Sequence, residues 1–415
     1  MATDTTTDAP LHVLAVIDGL ALGGAERVLA TLARAGRDHR MRLSVASLTG
    51  EVGEGRVGDL LAREGVEVHQ LDVHGLRDVR DIRRLARVIR HSGADVVHCH
   101  LHYAAVLGVP AAALAGVPAV CTFHHVARAE ELRGRAGLRE RIAVASAGAA
   151  QRVVFVSYAS LESFRRLHVG RRSHWTVVHN GVDVDEFRPA PGARPPADLA
   201  VPPDAATVVL VAAMRGAFEK GHEEAIDAWP AVRAVVPDAR LVFVGGGDNE
   251  AALRSRAEAA GVADGVVFAG TRGDVDAIVR SADVALLPSR NEALPTVLLE
   301  SAASGVPAVA TRVGGIPEIV RHDANGLLVD PGDVGAVADA VLRLLTDPDT
   351  RQRLGDTARR DVLERFDARD WVTRLRTVYR DAGAGRPGRV RRRRATVADV
   401  GGAAVETAPV PRAGT

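Results

Sequence analysis

The sequence predicts an α/β chain of two doubly wound, Rossmann-like domains that face one another across a cleft. Three observations carry this. Short β-branched runs alternate with helical patterns through the first half, the rhythm of a parallel sheet with crossover helices. The same rhythm resumes in the second half. Between the halves lies FRPAPGARPPADLAVPPD, Phe187 to Asp204, whose prolines and alanines continue neither sheet and read as a linker. At 415 residues the chain is long enough for two domains with substantial cores.

Taken in order, residues 1–10 are polar, lack the basic and apolar regions of a signal peptide, and read as disordered. The first domain, residues 11–186, opens with a strand at His12 to Asp18, a glycine turn and a helix from about Ala25 to Ala35. Further strands are expected at Arg42 to Leu48, Val66 to Leu71, Asp95 to His100, Ala119 to Phe123, Arg152 to Val156 and Thr176 to His179. The linker occupies 187–204. The second domain, residues 205–366, places strands at Thr207 to Ala212, Arg240 to Val244, Val266 to Phe268, Val284 to Leu287, Ala308 to Ala310 and Gly326 to Val329. A last helix falls within 367–385, and residues 386–415 form a basic tail expected to be disordered.

Hydrophobic residues make up 47% and charged residues 25%, ordinary values for a globular protein. A net charge of +1 gives no argument for nucleic-acid binding. The two cysteines, Cys99 and Cys121, imply no disulfide framework and point to a reducing, cytoplasmic setting. Leu101 to Phe123 carries no Asp, Glu, Lys or Arg, but Pro110, Pro118, Gly108 and Gly116 make it a buried helix, a turn and a strand rather than a membrane span. The arginines at 386, 389 and 391–394 have two readings: a solvated tail, which comes first, and peripheral attachment to an anionic membrane surface.

The most informative stretch is SRNEALPTVLLESAASGVPAVATRVGGIPE, which sets Glu292 and Glu300 eight residues apart. Leu294-Pro295-Thr296 is a helix start, so Glu300 sits about one turn inside the helix and Glu292 on the loop ahead of it. The free N–H groups and dipole of a helix start seat a phosphate, with the amides of Leu294 and Thr296 as candidates and Pro295 donating nothing. Carboxylates beside such a seat accept hydrogen bonds from hydroxyls. Glu292 and Glu300 are the candidates for accepting from such hydroxyls. Phosphates and hydroxyls together describe a nucleotide sugar.

All but one of the 53 lysine and arginine side chains are arginine; the exception is Lys220, in Arg215-Gly216-Ala217-Phe218-Glu219-Lys220-Gly221. Arg215 and Lys220 are expected to neutralise a donor diphosphate and the charge that develops as it leaves, against the plainer reading of Lys220 as a surface lysine. Gly23-Gly24 lets backbone approach a ligand at a helix start, with Glu26 complementing the dipole. Gly270-Thr271-Arg272 follows a strand and is placed to meet a base through backbone groups, including those of Thr271 and Arg272. Gly245 to Gly247 reads equally well as a turn. Gly314-Gly315 and Glu318 shape the second-domain wall, Glu318 more as structure than as catalyst. His98, His100 and His102 alternate along a strand end and are expected to share a face, with His124 and His125 after the next strand. A metal site is the competing reading of these imidazoles.

These motifs, in this order along residues 11 to 380, resemble the retaining family-4 glycosyltransferases: Gly23-Gly24-Ala25-Glu26, the strand ending His98-Cys99-His100, Thr122-Phe123-His124, Asn180-Gly181-Val182-Asp183, Arg215 to Gly221, Gly245 to Gly247, and Glu292 to Glu318. The resemblance implies a GT-B architecture, a final helix packing back on the first domain, and a Gly23-Gly24 loop over the donor phosphates. It implies His124 reaching the sugar and reacting centre, with His125 left open as the true partner, and His100 on the acceptor side. It also implies no bound metal or other cofactor. The implied reaction moves a sugar, with retention, from a UDP- or GDP-linked donor to a carbohydrate or lipid-linked acceptor in polysaccharide or glycoconjugate synthesis. A nucleotide-sugar epimerase of the same shape and a non-catalytic nucleotide-sugar-binding scaffold are the alternatives. Two departures stand out: Met214 where the family often has glycine, and Ala293 in place of a glycine, which strains the loop if a positive φ is needed there.

Overall fold

The structure is a computed structural model that describes residues 10–20, 24–49, 57–73, 79–128, 134–168, 173–214 and 219–384. Gly23, Arg215 and the basic cluster beginning at Arg386 lie outside these residues. The first sheet contains β1 (Leu11–Ile17), β2 (Met41–Ser47), β3 (Glu67–Gln70), β4 (Val96–His100), β5 (Ala119–Phe123), β6 (Arg152–Phe155) and β7 (Trp175–Val177), in the order β3-β2-β1-β4-β5-β6-β7. The second contains β8 (Thr207–Val211), β9 (Arg240–Val244), β10 (Val266–Phe268), β11 (Val284–Leu287), β12 (Ala308–Thr311) and β13 (Gly326–Val329), in the order β10-β9-β8-β11-β12-β13. Every strand pairing is parallel.

A parallel sheet must be covered on both faces, and the strand sequences show why these are. Along β1, Leu14 and Val16 join one buried cluster while Val13, Ala15 and Ile17 join another. Along β8 and β9, Val209, Val242 and Val244 face one core, and Val208, Leu210, Leu241 and Phe243 the opposite one. The strand order reverses between β1 and β4 and between β8 and β11, and ligands of doubly wound folds bind outside the strand ends at such points. The two sheets therefore fix where a site belongs before any side chain is considered.

The stretch after Asp204 carries the second sheet, while Phe187, Leu199 and Val201 of the preceding segment are buried in that domain's core. The final helix, Ala368–Asp381, crosses back and buries Trp371, Val372, Leu375 and Tyr379 among Val13, Ala15 and Ile17 of β1. Its crossing point is Gly181-Val182. The Val182 amide donates to Phe366 O at 2.9 Å, the Ala368 amide donates to Val182 O at 3.0 Å, and a Cβ on Gly181 would lie 2.7 Å from Ala368 Cα. Asn180 to Asp183 is thus a seam where the chain re-enters the first domain.

Leu101 to Phe123 forms the helix His102–Ala115, a left-handed Gly116 and β5, and among the described residues no helix is long and apolar enough to cross a membrane. Cys99 and Cys121 are buried free thiols opposite one another in β4 and β5. The expected common face of the alternating histidines holds for His98 and His100, whose ring centroids are 4.0 Å apart. It fails for His102. The strand ends at His100, Leu101 turns with φ 73°, and His102 starts a helix instead, its ring 4.5 Å from that of His125.

Candidate active site in the interdomain cleft

Two loops of the second domain build the donor side. After β11 the chain runs through Ser289 and Glu292 to the helix Thr296–Ala303. The Lys220-Gly221 loop lies directly on its beginning. Gly221 has φ 76°, and a Cβ there would stand 2.2 Å from Pro288 O, so only glycine fits. The Arg290 amide donates to Glu219 O at 2.8 Å. This seating brings Lys220 Nζ to 2.8 Å from Glu292 Oε1, which also accepts from Ser289 Oγ at 2.9 Å. Thr311 Oγ1 at the end of β12 donates to the Ser289 carbonyl. The Gly315 amide donates to Glu292 O at 3.1 Å, and a Cβ on Gly314 would fall 1.8 Å from that same oxygen. Glu292 is buried, while the Lys220 side chain keeps 35% of its surface exposed. The result is a fixed carboxylate with an accessible ammonium above it.

Glu300 occupies the other end of the segment. It is buried one turn into the helix, and burial pushes its carboxyl up despite Arg27 of the first domain, whose Nε lies 4.0 Å away. Gly24, at the start of the helix Gly24–Asp38, faces the helix start opposite: a Cβ on it would stand 4.0 Å from Thr296 Oγ1. Two helix N-termini thus meet across a cleft of about 220 Å³ lined by Arg27, Arg34, Arg272, Thr296 and Glu300, among others. Positive helix ends and guanidiniums around one carboxylate suit a ligand carrying both phosphate and hydroxyl. The Arg272 side chain is committed to Asp274, at 2.7 Å, and to Asp198 of the linker. Thr271 Oγ1 closes on Gly246, 2.8 Å from where a Cβ would be, and the Gly245 amide donates to Gly270 O at 2.8 Å. Gly247 meets the backbone of Met214, where a Cβ would lie 1.8 Å from Met214 O. These three glycines hold the strand ends together. Ala293 and Leu294 are buried, and Ala293 is not among the residues with positive φ, so the substituted glycine leaves no strain.

On the first-domain wall, His100 Nδ1 and His124 Nε2 are 3.0 Å apart with their rings stacked. His98 lies beneath, its two nitrogens bonded to Thr122 Oγ1 at 2.6 Å and to Tyr379 OH at 2.8 Å, so it ties the sheet to the final helix. Burial pushes the His98 and His124 imidazoles down to about 3, so both are neutral near pH 7. Asp18, which the sequence reading did not single out, accepts the amides of Ala104 at 2.7 Å and Tyr103 at 3.2 Å; burial pushes its carboxyl up to about 6. It fixes the start of the helix that follows β4. Its only sequence signal is a carboxylate at the end of the first strand.

Glu318 reaches across the domains rather than serving only its own wall. Its carboxylate accepts the Tyr158 and Ala159 amides at 3.0 and 2.9 Å, and His179 Nε2 lies 2.7 Å from it. Burial alone would push the carboxyl up; His179 and the two amides outweigh it and hold it below the usual carboxylate range. An acidic side chain of one domain therefore satisfies the helix start of the other. Glu318→Ala is expected to destabilise the fold by about 1–2 kcal/mol. Thermal unfolding would show this as a melting point lower by about 1–3 °C, and an unchanged melting point would remove the Glu318 contact from the stability of the fold.

Comparison with known proteins agrees with this architecture. Residues 22–186 match the family described as Glycosyltransferase Family 4, and residues 198–361 match Glycosyl transferases group 1. A D-inositol 3-phosphate glycosyltransferase of Acidothermus cellulolyticus is 34% identical over 72% of this chain and 70% of its own length. An N-acetyl-α-D-glucosaminyl L-malate synthase of Bacillus anthracis is 37% identical, but the matched stretch spans 35% of this chain and only 38% of that protein. A GDP-mannose-dependent α-(1-6)-phosphatidylinositol monomannoside mannosyltransferase of Mycobacterium tuberculosis is 39% identical over 46% of this chain and 50% of the relative. Among solved structures, Anabaena HepE in complex with UDP and glucose superposes with a TM-score of 0.77 at 22% identity, covering 88% of this chain and 98% of that one. The chain belongs to the family-4 glycosyltransferases and has their GT-B fold.

Proposed function

We propose that the protein is a retaining glycosyltransferase that moves a sugar from a UDP- or GDP-linked donor to a carbohydrate or lipid-linked acceptor in glycoconjugate or polysaccharide synthesis. The observation that carries this reading is the placement of Lys220 on Glu292 in the loop ahead of the helix Thr296–Ala303, which carries Glu300 one turn inside it. In the proposal Lys220 and Arg215 bind the diphosphate, Glu292 accepts hydroxyls of the transferred sugar, and Glu300 accepts from the ribose. The amides of Leu294 and Thr296 supply the phosphate seat, with the Gly23-Gly24 loop covering it. The backbone of Ala293, Thr271 and Arg272 borders the donor. His124 lies nearest the reacting centre on the first-domain wall, with His100 on the acceptor side.

The donor's own phosphate oxygen takes the acceptor proton as the sugar transfers, so the reaction needs no separate protein base, and Lys220 and Arg215 serve where a metal would otherwise neutralise the diphosphate. Glu292 holds the sugar in place while Lys220 neutralises the charge left on the diphosphate. Domain closure excludes water. The relatives' names support acceptors that join hydroxyls to an anionic group: malate in one, inositol 3-phosphate or a phosphatidylinositol mannoside in others.

The test is a thermal-shift panel of UDP, GDP, ADP and their common sugar derivatives against wild type and Lys220→Ala. A nucleotide present at about 100 times its Kd should stabilise the wild type by about 2.7 kcal/mol. One nucleotide is expected to shift the wild type and not the variant. Incubating the shifting donor with acceptor, and reading the anomeric configuration of the product by proton NMR, then decides retention. Isomerised donor with no transfer would overturn the reading.

A further inference from the structure

Beside the cleft, on the first domain, lies a second cluster that the sugar-transfer chemistry does not use. His102 opens the helix after β4, His125 follows β5, and Glu140 lies in the helix Gly134–Ala147. The chain brings these three elements to one point. One potential ligand atom from each residue lies within 4.8 Å of the other two. His125 Nε2 is 3.4 Å from the Glu140 carboxylate, His102 Nε2 touches the same group, and the His102 and His125 rings are 4.5 Å apart. Behind them the buried His168 places its Nε2 3.6 Å from the other Glu140 oxygen.

We propose that His102, His125 and Glu140 bind one zinc-class divalent transition-metal ion. Two imidazoles and a carboxylate are the nitrogen and oxygen donors that borderline metals such as zinc prefer. Zinc–nitrogen and zinc–oxygen bonds of about 2.0–2.2 Å put tetrahedral ligand atoms roughly 3.4 Å apart, the spacing seen between His125 and Glu140; His102, which touches the carboxylate directly, draws back to that spacing when it ligates. The exposures are graded as an open site requires. The Glu140 side chain keeps 9% of its surface, His125 25% and His102 35%, so an ion and a water ligand can reach the cluster from the histidine side. His168 stands behind the carboxylate at 3.6 Å, close enough to take up the orienting contact that metal ligands commonly receive if the carboxylate shifts towards it. Cysteines take no part: the free thiols of Cys99 and Cys121 are buried on neighbouring strands of the sheet.

The experiment uses the untagged full-length chain, stripped with chelator and dialysed against zinc chloride alone. About one zinc per chain is expected by elemental analysis. Cobalt in its place should give the visible absorption of a tetrahedral site. His102→Gln and His125→Gln should each weaken zinc binding about 100-fold or more, whereas His91→Gln, on an exposed helix elsewhere, should leave it unchanged. Glu140→Gln keeps the size of the side chain, and its thermal unfolding in chelator separates loss of metal from loss of fold. Failure to retain zinc, or retention unaltered in both histidine variants, would overturn the site. Neither result bears on the donor proposal, which the nucleotide panel tests separately.

Discussion

Lys220→Ala is expected to lower kcat/KM by about 10²–10³, or roughly 3–4 kcal/mol of transition-state stabilisation. The size follows from the geometry. The ammonium is fixed at 2.8 Å over Glu292 by a loop that only glycine allows to lie on Pro288, so little reorganisation is needed when charge develops on a leaving diphosphate. Lys220→Arg is the more telling variant. The chain uses arginine at every other basic position, yet the larger planar guanidinium cannot take the place of a compact ammonium between Glu292 and a phosphate. A loss of at least about tenfold is expected even with the charge retained. Glu292→Gln keeps the Ser289 contact and removes the charge, so it should lower kcat more than it raises KM. Steady-state kinetics with the donor from the thermal-shift panel would decide. Activity within twofold of wild type in Lys220→Ala would return this lysine to the surface.

Much of the frame was legible because parallel strands buried on both faces announce themselves. Runs such as VVHCH, RLVFV and VALL are short, continuous and bounded by Gly, Asp or Pro, so β4, β9 and β11 could be read locally. The Glu292 and Glu300 spacing was legible for a related reason: a loop and the first turn of a helix are local objects. What escaped was decided by distant packing. Glu318 looks like a helix-start carboxylate of its own domain, and only the packing of distant segments puts it on Tyr158, Ala159 and His179, 139 to 160 residues away. His102 left its expected face because one residue, Leu101, turns the strand into a helix. Glu140, in the middle of a helix with no motif around it, gave no sign of the three imidazoles it would meet. The linker was legible as a break, but not as a contributor of Phe187, Leu199 and Val201 to the second core.

Stability should fall steeply as the pH drops from 7 to 5, by about 4 kcal/mol from two histidines alone. Burial pushes His98 down to about 3; burial, with Lys220 adding to it, pushes His222 down to about 4. In the unfolded chain both titrate near 6.5. Below that value the unfolded state binds protons that the folded state refuses, so each histidine costs up to about 1.4 kcal/mol per pH unit until its folded pKa is reached. The full contribution is present above about pH 6.5 and is lost towards pH 4 and below. His12, also lowered chiefly by burial, acts in the same direction. Urea unfolding at pH 7, 6 and 5 would measure the slope, and His222→Gln should reduce it by about 1 kcal/mol per unit averaged over that range. A flat profile would mean that these imidazoles accept protons without disturbing the fold. The two histidines sit where that matters: His98 joins the first sheet to the returning helix, and His222 begins the helix that follows Lys220-Gly221. Acid should therefore loosen the seam between the domains and the Lys220 loop together, and nucleotide affinity should decline over the same pH range as stability.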